Sequence, residues 1–418
     1  MNNVLISQNK HWEKSYENLY ERDVFQKLLT NLQTKHIQVL QGIRRSGKSS
    51  LFKLIINHLS QNIDPQEILY INLDDPFFTK YSNDPKSFYE IIQNAKKLTQ
   101  KEIKYLFLDE VQAIEGWEKY VKSVYDSNEF EKIFVTGSNS SLLNGEFATL
   151  LTGRYISTRV YPLSFKEILK INDIKSFLEL NKQLPKVLKL IDDMMNYGSF
   201  VEIYQLQDEL KREVLSSYYD TILLKDCIAN NQIRDIKGFK ELSFYSLSNL
   251  TSLYSYSSLS KAVKLNDKSV KDYIQALEDC YLFSEVKLFS YSLKEQINNK
   301  KKLYLCDNGF MNLGYSFSAN YGKLLENLVF SELQKLEYEI YFYNKDIECD
   351  FIAKKEDKTI AIQACYELNE QNKNREINGI KKLPFDVDEK YIITYNQKDT
   401  IEDIEVVSFW EYFFIKES

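Results

Sequence analysis

A chain of 418 residues with 44% hydrophobic and 27% charged side chains is too apolar to be disordered, and its length implies roughly two to four domains. The formal charge of −6 excludes a global basic field, so nucleic-acid contact would need a local patch. The five cysteines (Cys227, Cys280, Cys306, Cys349 and Cys365) contain no C-x-x-C pair, which argues against a disulfide framework or zinc site and fits reduced thiols. The N-terminus lacks an apolar signal core, and no apolar stretch reaches the roughly 20 residues of a bilayer span. A cytoplasmic protein with no membrane partner is expected.

From residue 37 to about 163, short apolar runs alternate with amphipathic stretches. The runs are Ile37–Leu40, Ile68–Leu73, Tyr105–Leu108, Ile133–Val135 and Tyr155–Tyr161, with helical patterns near 48–60, 86–98 and 116–127. Runs of this length separated by helices predict a parallel sheet in an α/β layer architecture. The first run leads into Gly42-x-x-x-x-Gly47-Lys48-Ser49, and an apolar helix follows. This is the strand–loop–helix order of a phosphate-binding loop, whose glycines let backbone N–H groups face the phosphates of ATP. Gly42, Arg44, Arg45, Ser46, Gly47, Lys48, Ser49 and Ser50 form the candidate nucleotide contacts. Lys48 would meet the β and γ phosphates, and the Ser49 hydroxyl would ligate Mg²⁺. Arg44 and Arg45 would reach either phosphate or the sheet edge. Arg22, just before the first run, would lie near the base or on a helix surface.

The third run ends in Asp109-Glu110. Asp109 would hold the Mg²⁺ shell and Glu110 would orient and deprotonate the attacking water. The fourth run ends in Thr136-Gly137-Ser138-Asn139. One of Thr136, Ser138 or Asn139 would bond the γ-phosphate or the water, or the stretch is a turn capping the next helix. Arg154 is a candidate sensor of γ-phosphate charge, in its own or a neighbouring subunit, or else a surface ion pair.

Four motifs occur together and in order: Gly-x-Arg-Arg-x-Gly-Lys-Ser, Leu-Asp-Glu-Val-Gln, Thr-Gly-Ser-x-Ser, and Leu-x-Gly-Arg followed by Pro162-Leu-Ser-Phe165-Lys-Glu167. The chain resembles the bacterial and archaeal AAA-type P-loop ATPases that carry a C-terminal domain of unknown function. The resemblance implies an AAA-like core of the additional-strand, catalytic-glutamate class over 1–163, and an ATP-binding protein. It supplies no substrate.

Residues 164–236 read as a helical lid, opened by a Ser164/Glu167 capping box and broken at Gly198. Residues 237–305 read as a winged-helix-like domain. A short helix over 258–265 and a second over 268–277 give a helix-turn-helix pattern, and a polar hairpin around Lys294–Lys302 would form the wing. Lys264, Lys268 and Lys271 would face a DNA groove, or the domain serves packing alone. Residues 306–418 outline a restriction-endonuclease-like α/β domain: Glu326 on a helix, Asp350 on a strand, then another strand. The Glu-x-Lys that such enzymes carry there reads Gln363-Ala364-Cys365, and an amide and a thiol are poor substitutes for a hard-metal ligand and an ammonium. Nuclease activity is therefore not expected. The readings left open are a DNA-associated ATPase, and a nucleotide-gated signalling or scaffold protein, in stress or phage defence, acting through protein partners or self-assembly.

Overall fold

The computed structural model describes residues 1–140, 149–315 and 320–416, in two compact units, Met1–Tyr161 and Pro162–Ser418. No helix among the described residues is long and apolar enough to cross a membrane.

The first unit is built on five strands: β1 (Ile37–Gln41), β2 (Ile68–Asn72), β3 (Tyr105–Asp109), β4 (Lys132–Gly137) and β5 (Tyr155–Arg159). All pair in parallel, in the order β2-β3-β4-β1-β5. The expected strands agree to within two residues at each end. Both faces are covered by helices, which is why the strands read as continuous apolar runs. One face is locked by aromatic stacking: Phe107 and Phe134 lie with ring centroids 4.1 Å apart, and Phe52 of the helix Lys48–Leu59 meets Phe107 edge-on at 5.1 Å. Each such ring, fully buried, contributes about 1.5–3 kcal/mol.

The exposed edge of β2 is closed by the N-terminal segment. The Asn9 side chain accepts from Tyr70 N at 2.7 Å and donates to Tyr70 O at 2.9 Å, standing in for a neighbouring strand.

The second unit holds eight strands: β6 (Phe283–Leu288), β7 (Lys301–Leu305), β8 (Glu339–Asn344), β9 (Glu348–Lys355), β10 (Lys358–Cys365), β11 (Glu389–Thr394), β12 (Asp399–Ile401) and β13 (Ile404–Ser408). Their order is β12-β13-β11-β10-β9-β8-β6-β7. The expected division into lid, winged-helix and nuclease-like domains is replaced by one unit, because β6 and β7 extend the C-terminal sheet and the lid helices share its core. Phe165, Val187 and Ile191 bury with Leu325, Phe330 and Phe351. The boundary falls at residue 161 rather than 163.

The Ser164 capping box forms as expected, with Ser164 Oγ accepting from Glu167 N at 3.1 Å and Glu167 Oε2 from Ser164 N at 2.9 Å. The helix-turn-helix also forms, as Tyr256–Val263 and Asp267–Asp279 packed with Ile236–Ser248. Asn266 caps the second helix through Ser269 N at 2.8 Å. The polar segment expected as a wing lies between the antiparallel strands β6 and β7. Residues Leu293–Asn298 are a short helix, and Lys301 and Lys302 are buried in β7.

Candidate functional site

Parallel pairing places the C-terminal ends of β1, β3 and β4 on one edge of the first sheet, and the phosphate-loop residues gather there. Gly42 has φ +151° and a Cβ there would lie 2.1 Å from Val160 O, so only glycine fits between loop and β5. Gly47, at φ +100°, turns the chain into the helix that starts at Lys48. Arg45 is also left-handed, at φ +72°.

Lys48 is buried, with its ammonium donating to Gly42 O at 2.9 Å and Ile43 O at 3.1 Å, and 3.9 Å from Glu110 Oε1. Loop, lysine and candidate base therefore already converge. Ser46 is buried, its hydroxyl without a partner among the described residues, whereas Ser50 is exposed on the first helical turn.

Asp109 is 1% exposed. Its carboxylate accepts from Tyr70 Oη at 2.7 Å, from the Thr136 hydroxyl and from the Ser49 hydroxyl. Burial, and then the neighbouring Glu110 charge, push its pKa up, and the three hydroxyls partly offset that. Glu110, at φ +54°, is turned out of the strand. Its N–H donates to Thr136 Oγ1 at 2.9 Å, and its Oε2 accepts from Gln112, which also reaches Ser138 Oγ at 3.3 Å. Thr136 is thus engaged in orienting Asp109 and Glu110. Asn139 is buried on the turn that follows β4.

Arg154 takes the surface ion-pair alternative within its own chain. It immediately precedes β5, and its carbonyl accepts from Ile37 N at 2.9 Å, at the start of β1. That is the end of the sheet opposite the loop, roughly 13 Å away at about 3.3 Å per residue. Its guanidinium pairs with Asp126 at 3.0 Å on the surface, so it does not reach the nucleotide site of its own chain. Arg44 pairs with Asp74 at 3.4 Å.

The arginine that supports the loop is Arg22, 7% exposed, which donates to Ser46 O at 2.9 Å and Tyr161 O at 2.8 Å. From the sequence alone it falls near the base or on a helix surface, because no local pattern ties a residue before β1 to the loop after it. Tyr70 carries no local signal either. The only signal for Gln112 was its place in the Asp-Glu-x-Gln run.

In the second unit Glu326 and Asp350 come together, and a residue expected in the wing joins them. Lys302 Nζ lies 3.3 Å from Glu326 Oε1, 3.2 Å from Glu348 Oε1 and 3.4 Å from Asp350 Oδ1. Gln363 accepts from Asp350 N at 2.7 Å and donates to Glu376 Oε2 at 3.1 Å. Cys365 turns elsewhere, towards Glu367 O at 3.2 Å, and burial pushes its thiol up to about 12. Lys264, Lys268 and Lys271 are exposed on the helix-turn-helix.

Residues 34–169 match a family model described as an AAA domain, and 188–319 match one described as a domain of unknown function (DUF8612). An uncharacterized Methanocaldococcus jannaschii protein is 37% identical over 94% of this chain and 90% of its own length. An uncharacterized Haemophilus influenzae protein is 32% identical over 91% of this chain and 95% of its own. Among solved structures, the Aeropyrum pernix ORC1 protein in complex with DNA aligns over 78% of this chain and 96% of its own, at 13% identity and a TM-score of 0.32. A likeness that distant carries neither fold nor function.

Proposed function

The chain belongs to the AAA-type family of P-loop ATPases, and on that premise we propose that it binds ATP with Mg²⁺, hydrolyses it and uses the cycle to rearrange its C-terminal unit. The observation that carries this reading is the convergence of Lys48, Ser49, Asp109 and Glu110 at one sheet edge, with Glu110 Oε1 3.9 Å from the Lys48 ammonium. In this reading phosphate oxygens displace the Gly42 and Ile43 carbonyls from Lys48, and the loop N–H groups face the same phosphates.

The oxygen donors at Asp109 and Ser49 suit Mg²⁺, a hard cation. When bound there, Mg²⁺ neutralises charge on the β and γ phosphates. Tyr70 and Thr136 fix the Asp109 carboxylate. Gln112 and the turn at Glu110 hold the Glu110 carboxylate where it accepts a proton from the attacking water. Asn139 is assigned to the γ-phosphate side of the crevice. Arg22 acts through the loop backbone.

The second unit is the readout. Exposed Lys264, Lys268 and Lys271 favour the DNA-associated version, in which the helix Asp267–Asp279 meets a groove. Protein partners or self-association alone define the alternative. A fluorescent ATP analogue titrated into wild-type and Lys48→Ala chains tests the nucleotide site. Saturable binding that the variant weakens by roughly 100-fold, as expected on removing a charge-assisted hydrogen bond to phosphate, supports the proposal. Equal affinity in both contradicts it.

A further inference from the structure

The N-terminal segment that closes the edge of β2 runs on to the helix Lys48–Leu59, and a cavity of about 630 Å³ lies against it in the first unit. Reciprocal bonds pin the segment at two points. Gln8 accepts from Asn72 N at 2.9 Å and donates to Asn72 O at 3.2 Å. Asn57, on the helix, accepts from Tyr16 N at 2.9 Å and donates to Tyr16 O at 2.8 Å. The walls are therefore held without a ligand, which lowers the ordering cost of binding one. The volume falls in the range of small-molecule sites, about 300–1,000 Å³.

The charged lining consists of Lys10, Lys14, Lys53, Glu17 and Asp75. Three cations against two carboxylates leave a formal charge of +1. Among the described residues none of the three ammonium groups has an ion pair or hydrogen bond; Lys53 lies over the Tyr16 ring, 5.6 Å from its centroid. Three uncompensated ammonium groups around one hollow suit a compact anion. The carboxylates beside them can accept from hydroxyl groups. Those two acids, in a chain of net charge −6, disfavour a long polyanion laid across the same surface. The cavity also adjoins the nucleotide centre. Tyr70, which lines it, donates to Asp109 Oδ2 at 2.7 Å, and Ser50, also in the lining, follows Ser49 in the helix.

We propose that this cavity binds a phosphorylated sugar, free or within a nucleoside monophosphate, and that its occupancy sets the rate of ATP turnover. Lys10, Lys14 and Lys53 take the phosphate, and Glu17 and Asp75 accept from the sugar hydroxyls. The coupling runs through Tyr70, because a ligand against its ring shifts the hydroxyl that positions Asp109. Binding stands apart from the ATPase reading, whereas the effect on turnover rests on it.

Calorimetric titration of the full Lys48→Ala chain with ribose 5-phosphate, AMP, ribose and a single-stranded oligonucleotide tests binding without the loop lysine. The expected result is saturable binding of ribose 5-phosphate or AMP and none of ribose. Adding Lys14→Ala or Lys53→Ala should weaken it roughly 10-fold each, as loss of a charge-assisted bond does. Tighter binding of AMP identifies the nucleotide as the source, and equal or tighter binding of ribose 5-phosphate the free sugar. No binding of either, equal binding of ribose, binding of the oligonucleotide alone, or affinity unchanged in both lysine variants would overturn the proposal. In the wild-type chain, saturating ribose 5-phosphate should change steady-state ATP hydrolysis about 5-fold or more. Lys14→Ala with Lys53→Ala should abolish that response and keep the basal rate. An unchanged rate in a chain that hydrolyses ATP overturns the coupling. A chain that hydrolyses no ATP under either condition counts against the ATPase reading, while the titration still decides the site.

Discussion

Asp109 is a carboxylate 1% exposed beside a second carboxylate. Three hydroxyls, from Tyr70, Thr136 and Ser49, make that tolerable and aim the group. Tyr70→Phe removes one donor and leaves the ring. It should lower ATP turnover roughly 10-fold and raise the Mg²⁺ concentration needed for half-maximal rate, as losses of a ligand's supporting partner usually do. A rate and Mg²⁺ dependence matching wild type would show that Tyr70 does not position Asp109. Arg22→Ala removes two charge-assisted bonds to loop-flanking carbonyls and should cost about 2–3 kcal/mol in denaturant unfolding. The residues that sequence reading found are those whose spacing is local: Lys48 and Ser49 in one loop, Asp109 and Glu110 at one strand end. Tyr70, Arg22 and Lys302 are brought in by pairing and folding across long sequence separations, for which one sequence holds no pattern.

At the scale of elements, the first sheet was legible almost throughout, because runs buried on both faces leave a strong apolar signal between helical periods. The second was legible strand by strand over 339–365 but not in its extent. The segment expected to be a wing is polar in letters, yet Lys301 and Lys302 are buried by carbonyl and carboxylate partners that only the folded sheet provides. Gly198 shows how tightly the unit is closed. At φ +75°, a Cβ there would sit 1.6 Å from Asp307 Oδ1, whose partner Oδ2 accepts from Ser199 N and Oγ at 2.8 Å. Gly198→Ala should destabilise the chain by about 3 kcal/mol or more, read from its thermal transition.

Glu278, on the second helix of the helix-turn-helix, is held up at about 7, chiefly by burial. A raised carboxylate stabilises the fold fully below its unfolded pKa and loses that contribution as pH rises through the folded value. Stability should therefore fall between about pH 4.5 and 7, by on the order of 2 kcal/mol after discounting partial exposure. Glu278→Gln should flatten that slope. An unchanged slope would place the pH dependence elsewhere.

For the whole molecule, the DNA-associated reading and the signalling or scaffold reading separate cleanly by experiment. If the exposed lysines of the helix-turn-helix meet phosphate, replacing Lys264, Lys268 and Lys271 with Ala should weaken duplex binding on all sequences alike. The slope of log affinity against log salt should then fall by up to about 3, near 0.9 for each phosphate no longer neutralised. No binding at low salt would leave the signalling or scaffold version, tested by solution mass with and without ATP.

The central claim is that the edge of the first sheet hydrolyses ATP with Glu110 as base. A single-turnover assay of wild-type and Glu110→Gln chains with labelled ATP and Mg²⁺ tests it directly, because bound nucleotide and released phosphate are read in one sample. The account predicts that the variant retains ATP and releases phosphate at least 100-fold more slowly, the usual contribution of a positioned base being about 10²–10⁴. Phosphate release at the wild-type rate in that variant would contradict it.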